Sequence, residues 1–304
     1  MTAHQAIKSP LHTTRTGRLF FLEINAGLIH TMNPDGSDKR TIVSGCRAPD
    51  GIAVDPVAGH IYWTNMGVPS RNDGSIERAD LDGGNRVTII SPGDTFTPKQ
   101  IQLDRRDNKI YWCDREGMRV MRANLDGSSI ETLVETGCGD VDRADQRNWC
   151  VGIAIDHNWN EVYWTQKGPD NGNVGRLFRV PVAIGAGETP DMRTDIELIF
   201  DSLPEPIDLE IADGFLYWTD RGDPPRGNSL NRMKLEADEH DPGPLEIIST
   251  HLMEGIGLAV DLAHDRLFTT DLAGSIYCSR LDGTERRPIA VAQGNLTGIA
   301  YAEI

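Results

Sequence analysis

The pentapeptide Ile61-Tyr62-Trp63-Thr64-Asn65 returns in variant form along the whole chain, and this recurrence limits the fold more than any other feature. The further copies are Leu19-Phe20-Phe21-Leu22-Glu23, Ile110-Tyr111-Trp112-Cys113-Asp114, Val162-Tyr163-Trp164-Thr165-Gln166, Leu216-Tyr217-Trp218-Thr219-Asp220 and Leu267-Phe268-Thr269-Thr270-Asp271. They lie about 50 residues apart, a period that holds several short strands per unit and marks a β-propeller.

Each copy brings the same neighbours. Upstream is an apolar run ending in an acid, as in Gly51-Ile52-Ala53-Val54-Asp55, Gly152-Ile153-Ala154-Ile155-Asp156 and Gly257-Leu258-Ala259-Val260-Asp261. Downstream, a third strand closes on a turn such as Leu81-Asp82-Gly83 or Leu125-Asp126-Gly127, and a fourth run follows. Asp-Gly between β-rich runs is a hairpin signal, because glycine accepts the positive φ of the turn. The reading is an all-β, six-bladed β-propeller with four antiparallel strands per blade. The first copy lacks an upstream run, while Thr297-Gly298-Ile299-Ala300-Tyr301 has no blade after it. The C-terminal strand is therefore expected to join the N-terminal blade and close the ring. The expected layout is a polar tail over 1–17 and a single propeller over 18–304.

The aromatic repeats, the Gly-Ile-Ala-Val-Asp runs and the Leu-Asp-Gly turns resemble the YWTD six-bladed propellers of the low-density-lipoprotein receptor family, over nearly the whole chain. That resemblance implies the fold; propellers host binding modules and enzymes alike.

The 304 residues carry 30 basic and 46 acidic side chains, a net charge of -16, which disfavours nucleic acid and anionic membranes as partners. No segment approaches the roughly 18 apolar residues of a membrane span. The N-terminus has no apolar h-region, and the five cysteines are an odd number, so a cytoplasmic, reducing setting is expected. Cys138 and Cys150 flank one insertion and are the pair considered for a disulfide. The cysteine-rich modules that accompany receptor propellers are absent from the sequence. Asn295-Leu296-Thr297 and Arg221-Gly222-Asp223 match a glycosylation sequon and an integrin tripeptide by pattern only.

Long loops sort onto one face: 66–74, 92–98, 136–149, 167–175 and 221–229. Loops 181–194 and 237–244 are the exceptions on the other face. A pocket at the channel mouth on the first face is the expected site. Aligning the inner strands puts Asp50, Lys99, Val151, Ile207, Ile256 and Thr297 at one level, then Gly51, Gln100, Gly152, Asp208, Gly257 and Gly298. Deeper still, Gln102 and Glu210 stand where other blades have alanine. These polar departures from an internal consensus are candidates for function or for a channel-filling network. Met66, Arg115, Lys167 and Arg221 follow the aromatic strands on the same face, with Phe96, Trp149 and His251 in the loops. Catalytic candidates are Asp50, Lys99 and Asp208; substrate-binding candidates are Met66, Phe96, Gln100, Arg115, Trp149, Arg221 and His251.

No calcium loop, zinc spacing, Gly-x-Ser-x-Gly elbow or phosphate-binding glycine loop occurs, and no cofactor or metal is expected. In size, single-domain layout and missing export signal, the chain resembles a fungal group of stand-alone propellers that includes the hetero-Diels-Alderases of tropolonic sesquiterpenoid pathways. That resemblance implies small apolar substrates and a cofactor-independent reaction. Water is lost from a hydroxymethyl tropolone to give an o-quinone methide, followed by inverse-electron-demand cycloaddition to a humulene-type alkene. An acid such as Asp50 or Asp208, a donor such as Lys99 or Arg221, and walls from Trp149, Phe96 and Met66 would serve it. The alternatives are a non-catalytic protein- or peptide-binding propeller and a metal-dependent lactonase.

Overall fold

Twenty-four strands form six four-stranded antiparallel sheets in the computed structural model, which describes residues 16–235 and 243–304. Residues 1–15 of the expected tail and most of loop 237–244 lie outside the described residues. Blade 1 consists of Gly17–Glu23, Leu28–Met32 and Arg40–Val43, with the C-terminal Leu296–Glu303 as its innermost strand. Blade 2 is Pro49–Asp55, His60–Asn65, Ser75–Asp80 and Val87–Ile90. Blade 3 is Pro98–Asp104, Lys109–Asp114, Arg119–Asn124 and Glu131–Glu135. Blade 4 is Cys150–Asp156, Glu161–Gln166, Gly175–Pro181 and Glu197–Leu203. Blade 5 is Pro206–Ala212, Phe215–Asp220, Ser229–Lys234 and Glu246–Ser249. Blade 6 is Gly255–Asp261, Arg266–Asp271, Ile276–Ser279 and Arg287–Ala290. Closure is as expected, with Leu19 opposite Tyr301 and Phe20 opposite Ala300. Thr16 and Ile304 then exchange backbone hydrogen bonds, so pairing runs one step beyond the strand ends.

The core lies between blades. At each of the six blade junctions a cluster forms from side chains of two neighbouring sheets, such as Tyr111 and Cys113 with Ile153 and Trp164, or Phe21 with Phe268 and Ile299. Trp63, Trp112, Trp164 and Trp218 are fully buried in these seams. The aromatic repeat is thus the interlayer of the propeller, which is why it recurs once per blade.

The fourth residue of each repeat has its own task. Every inner strand is bulged near the channel mouth, for example between Pro49 and Ile52 and between Cys150 and Ile153, which removes backbone partners there. The Thr64, Thr165 and Thr270 hydroxyls accept from the N–H groups of Gly51, Gly152 and Gly257 at 2.8, 2.8 and 2.9 Å. Each hydroxyl also donates to an inner-strand carbonyl of the next blade: Thr64 to Lys99 at 2.8 Å, Thr165 to Ile207 at 3.0 Å and Thr270 to Thr297 at 2.5 Å. Thr219 does the same to Ile256 at 2.7 Å, and Cys113 Sγ reaches the Gly152 carbonyl at 3.2 Å. Blade 1 has Leu22 at this position; there Thr297 supplies the hydroxyl, donating to Pro49 O at 2.9 Å. A closed circle of side-chain bonds therefore ties each blade to the next.

Inner strands approach too closely for a side chain at the glycine level. A Cβ on Gly152 would stand 1.8 Å from Ile207 O, and one on Gly51 2.6 Å from Lys99 O. The acids that end the inner strands, Asp55, Asp104 and Asp156, accept backbone N–H groups of the following turn.

Two features were not legible beforehand. Loop 136–149 contains a short α-helix, Gly139–Arg143, and a 3-10 turn, Gln146–Asn148. Cys138 and Cys150 are both free thiols: Cys150 is buried beside the Thr136 hydroxyl, while Cys138 is exposed at the start of that helix.

Candidate functional site

The mouth on the long-loop face has two unlike halves. On the side of blades 1 to 3, Asp50 is buried, and Lys99 Nζ donates to its Oδ1 at 2.5 Å. Gln100 Nε2 donates to Asp50 Oδ2 at 3.2 Å, and the Met66 sulfur lies 3.4 Å from Lys99 Nζ. The three candidates Asp50, Lys99 and Gln100 thus meet, with Met66 beside them. Burial pulls the Lys99 pKa below the ordinary lysine value; Asp50 opposes this and Arg115 adds to it.

On the side of blades 4 to 6, the mouth level is apolar. Val151, Ile207 and Ile256 pack together with Leu272. This corrects the expectation for Asp208, which follows Ile207 and lies one step deeper. Its two oxygens accept from the N–H groups of Leu209 and Leu258 at 3.0 and 2.9 Å. Burial first, and then Glu210, push its pKa well above the usual carboxylate range. Asp208 is thus buried inside the channel with both oxygens engaged by backbone N–H groups.

Around the mouth the residues after the aromatic strands supply cations. Arg115 pairs with the buried Glu116 at 2.6 Å and lies over the Trp149 ring, 5.0 Å from its centroid. Lys167 contacts Asp170 Oδ1 at 2.6 Å and Glu205 Oε2 at 3.4 Å. Arg221 Nε lies 2.9 Å from the same Glu205 oxygen, and its terminal nitrogen is 3.6 Å from Glu254. Asp170 is held below the usual carboxylate range by its hydrogen bond to Lys167, with the charges of Lys167, Arg221 and Arg115 also acting on it. Lys99, Arg115, Lys167 and Arg221 therefore converge on one rim. Arg221 of the Arg-Gly-Asp pattern is thus engaged in this network.

The aromatic walls differ from expectation. Phe96 lies under the Arg143 guanidinium, 4.4 Å from centroid to Cζ, and Trp149 donates its indole N–H to Arg143 O at 2.9 Å. Both rings are braced by arginines across loop 136–149, so they shape the rim near blade 3. His251 is a second correction: it is exposed, in a left-handed conformation, and its ring nitrogen meets only Thr250 among the described residues. Glu116, Glu205 and Arg143 were missed. Their one sequence signal was position within or beside the long loops, which does not separate a buried Glu205 from its exposed neighbours.

Along the channel axis, a cavity of about 570 Å³ opens on the opposite face, with Gln102 and Glu210 in its wall. Gln102 Nε2 donates to Glu210 Oε1 at 3.0 Å, and burial lifts the Glu210 pKa to about 7. On the long-loop face, a depression of about 460 Å³ is lined by Leu252, Met253, Leu272 and Ala273, and a smaller one of about 240 Å³ holds Arg221 and its acids. Among the described residues no group of three or more His, Cys, Asp or Glu side chains is arranged to hold a metal ion, and no helix is long and apolar enough to cross a membrane.

Comparison with known proteins finds a 48% identical relative, "Low-density lipoprotein receptor-related protein 1" of Pyricularia oryzae, over 90% of this chain and 92% of that one. A second, "3-hydroxyacyl-CoA dehydrogenase-like protein LAM1" of Cochliobolus heterostrophus, is 38% identical over 92% of this chain, which spans 61% of that protein's length. A human "Low-density lipoprotein receptor-related protein 5-like protein" is 27% identical over 67% of this chain and 70% of its own. No family model matches the sequence. Among solved structures, a chain of a nidogen/laminin complex superposes with a TM-score of 0.74 at 21% identity, covering 94% of this chain and 98% of that one. TolB from Acinetobacter baumannii gives 0.66 at 14% identity, over 94% of this chain and 66% of that one.

Proposed function

The chain belongs to the low-density-lipoprotein-receptor-related family of six-bladed propellers, and we propose that it is a small-molecule enzyme working at the mouth on the long-loop face. The observation that carries this reading is the convergence of four cations on one rim, each paired with a carboxylate: Lys99 with Asp50, Arg115 with Glu116, and Lys167 and Arg221 with Glu205. Paired lysine and arginine N–H groups at the channel mouth suit a conjugated substrate that carries an oxyanion or enolic oxygens.

The reaction we assign is loss of water from a hydroxymethyl tropolone and cycloaddition of the resulting o-quinone methide to a humulene-type alkene. Lys99 is the proton donor: it sits at the mouth, where Asp208 does not, and its lowered pKa makes it a better acid than a free lysine. The ring is bound as its oxyanion; as the Lys99 proton passes to the departing hydroxyl, which leaves as water, the ring oxygen becomes the carbonyl of the quinone methide. Asp50, itself held by Gln100, keeps the lysine in place. Arg115 and Lys99 steady the tropolone oxygens, and the half-buried Leu272, packed on the Val151–Ile207–Ile256 cluster, offers the alkene an apolar surface. Two σ bonds then form without net redox change, so the scheme calls for no cofactor. The dehydrogenase-like name belongs to a longer relative and does not determine this choice.

The test is incubation of the purified protein with a hydroxymethyl tropolone and a humulene-type alcohol, with products followed by mass spectrometry. The expected result is adduct formation above the buffer rate, slowed about 10²–10⁴-fold by Lys99→Met, the range of a general acid. Adduct formation no faster than in buffer, or undiminished in K99M, overturns the reading.

One observation favours a second reading, a protein-binding propeller. Met253 is 60% exposed beside the Leu252–Leu272 depression on the same face. Under that reading no small molecule engages the mouth.

A further inference from the structure

The floor of the channel is chemically distinct from the mouth. At the level where Ala53, Ala154, Ala259 and Ala300 keep four inner strands small, blades 3 and 5 carry Gln102 and Glu210. Their side chains meet across the axis in the wall of the cavity of about 570 Å³ on the face opposite the long loops. That volume falls in the range of small-molecule sites, about 300–1,000 Å³.

The hydrogen-bond inventory selects the ligand. Gln102 Nε2 donates to Glu210 Oε1 at 3.0 Å and to Leu209 O at 3.4 Å, which fixes the amide orientation because both partners are acceptors. Gln102 Oε1 and Glu210 Oε2 accept no hydrogen bond from the described residues. Two acceptors and no spare donor thus face the cavity, an arrangement that asks for a donor-rich group. The charged groups around Glu210 lean the same way. Asp208 lies above it on its own strand, and Asp156 and Asp213 line the cavity. The one basic side chain there, Arg105, is half exposed and 3.9 Å from Asp55. Around the opening stand Trp159, 58% exposed, and Leu262, 55% exposed, an indole and an aliphatic group presented to an incoming apolar body. A half-buried carboxylate in a cavity that an indole also lines is suited to an organic ammonium.

We propose that this cavity is a binding site for a small primary amine with an apolar body, its ammonium shared between Glu210 Oε2 and Gln102 Oε1 and its body against Trp159. The site is independent of the mouth and of the reaction assigned there. An ammonium binds the ionised Glu210, so affinity rises with pH through the titration of this carboxyl near 7.

Calorimetric titration with phenethylamine, against 2-phenylethanol as the neutral analogue of like shape, tests it. The amine is expected to bind at least 10-fold tighter than the alcohol, and about 30-fold tighter at pH 8 than at pH 5.5. Glu210→Gln and Trp159→Ala are each expected to weaken the amine, and Lys99→Met to leave it unchanged. Equal binding of amine and alcohol in the parent protein, or a flat pH dependence, overturns the proposal even if a variant fails to fold.

Discussion

At the scale of single residues, each half of the channel has an acid with its own partner, and the partners separate their roles. Asp50 is buried against an ammonium, whereas Glu210 is half-buried against an amide, which leaves its charge uncompensated. The consequence appears in stability. Glu210 titrates at about 7 in the fold against 4.5 as an ordinary glutamate, so across that interval the folded chain keeps a proton that the unfolded chain has lost. Stability contributed by the neutral acid is full below pH 4.5 and falls as pH rises through 7. Glu210→Gln is therefore expected to stabilise the protein by about 1–3 kcal/mol at pH 8 and by nearly nothing at pH 4, read from urea denaturation at the two values. Equal stabilisation at both would mean that the acid is neutral or charged alike in the two states. Sequence alignment of the inner strands was enough to single out Gln100, Gln102, Asp208 and Glu210 as departures from the repeat. It could not say which faced a ligand, because that depends on depth along the axis and on which side chain closes the level above.

At the scale of elements, the aromatic strand does more than pack. Its tyrosine stands opposite an arginine of the third strand, Tyr62 with Arg78, Tyr111 with Arg122, Tyr163 with Arg179 and Tyr217 with Arg232. Its threonine closes the bulged inner strand and ties on the next blade. Both strands and their order were legible because alternation and Asp-Gly turns are local signals. The threonine tie was not, since a hydroxyl carries no trace in sequence of the carbonyl it will meet some 40 residues on. Thr165→Val keeps the shape but leaves the Gly152 N–H and the Ile207 carbonyl without this partner. A loss of about 1–3 kcal/mol is expected, largely restored by Thr165→Ser, with thermal or denaturant melts as the measurement. A valine variant as stable as the parent would show that the hydroxyl circle carries no net stabilisation. The loop helix Gly139–Arg143 escaped sequence reading for a plain reason: it is five residues long, has no buried residue and so shows no apolar periodicity.

At the scale of the whole molecule, six sheets joined by aromatic seams and closed by the C-terminal strand hold the inner strands rigidly around one axis. Departures from the consensus at two depths then give that axis two ends of different character, a mouth of paired charges among long loops and an acceptor-lined cavity opposite. The fold was fully legible because repetition states it six times. The mouth was legible in part: Asp50, Lys99, Gln100 and Met66 do meet, Arg115 and Arg221 ring them, while Asp208 and His251 fall outside. The central claim is that the mouth holds an oxyanion-bearing ring through Lys99. Its most direct test is calorimetric titration of tropolone, as its anion, into the parent protein, Lys99→Met and Glu210→Gln. Binding by the parent, weakened about 10- to 100-fold by loss of one buried charge–oxygen contact in Lys99→Met and untouched in Glu210→Gln, is the predicted outcome. Absence of binding to the parent, or equal binding by the parent and Lys99→Met, would contradict it.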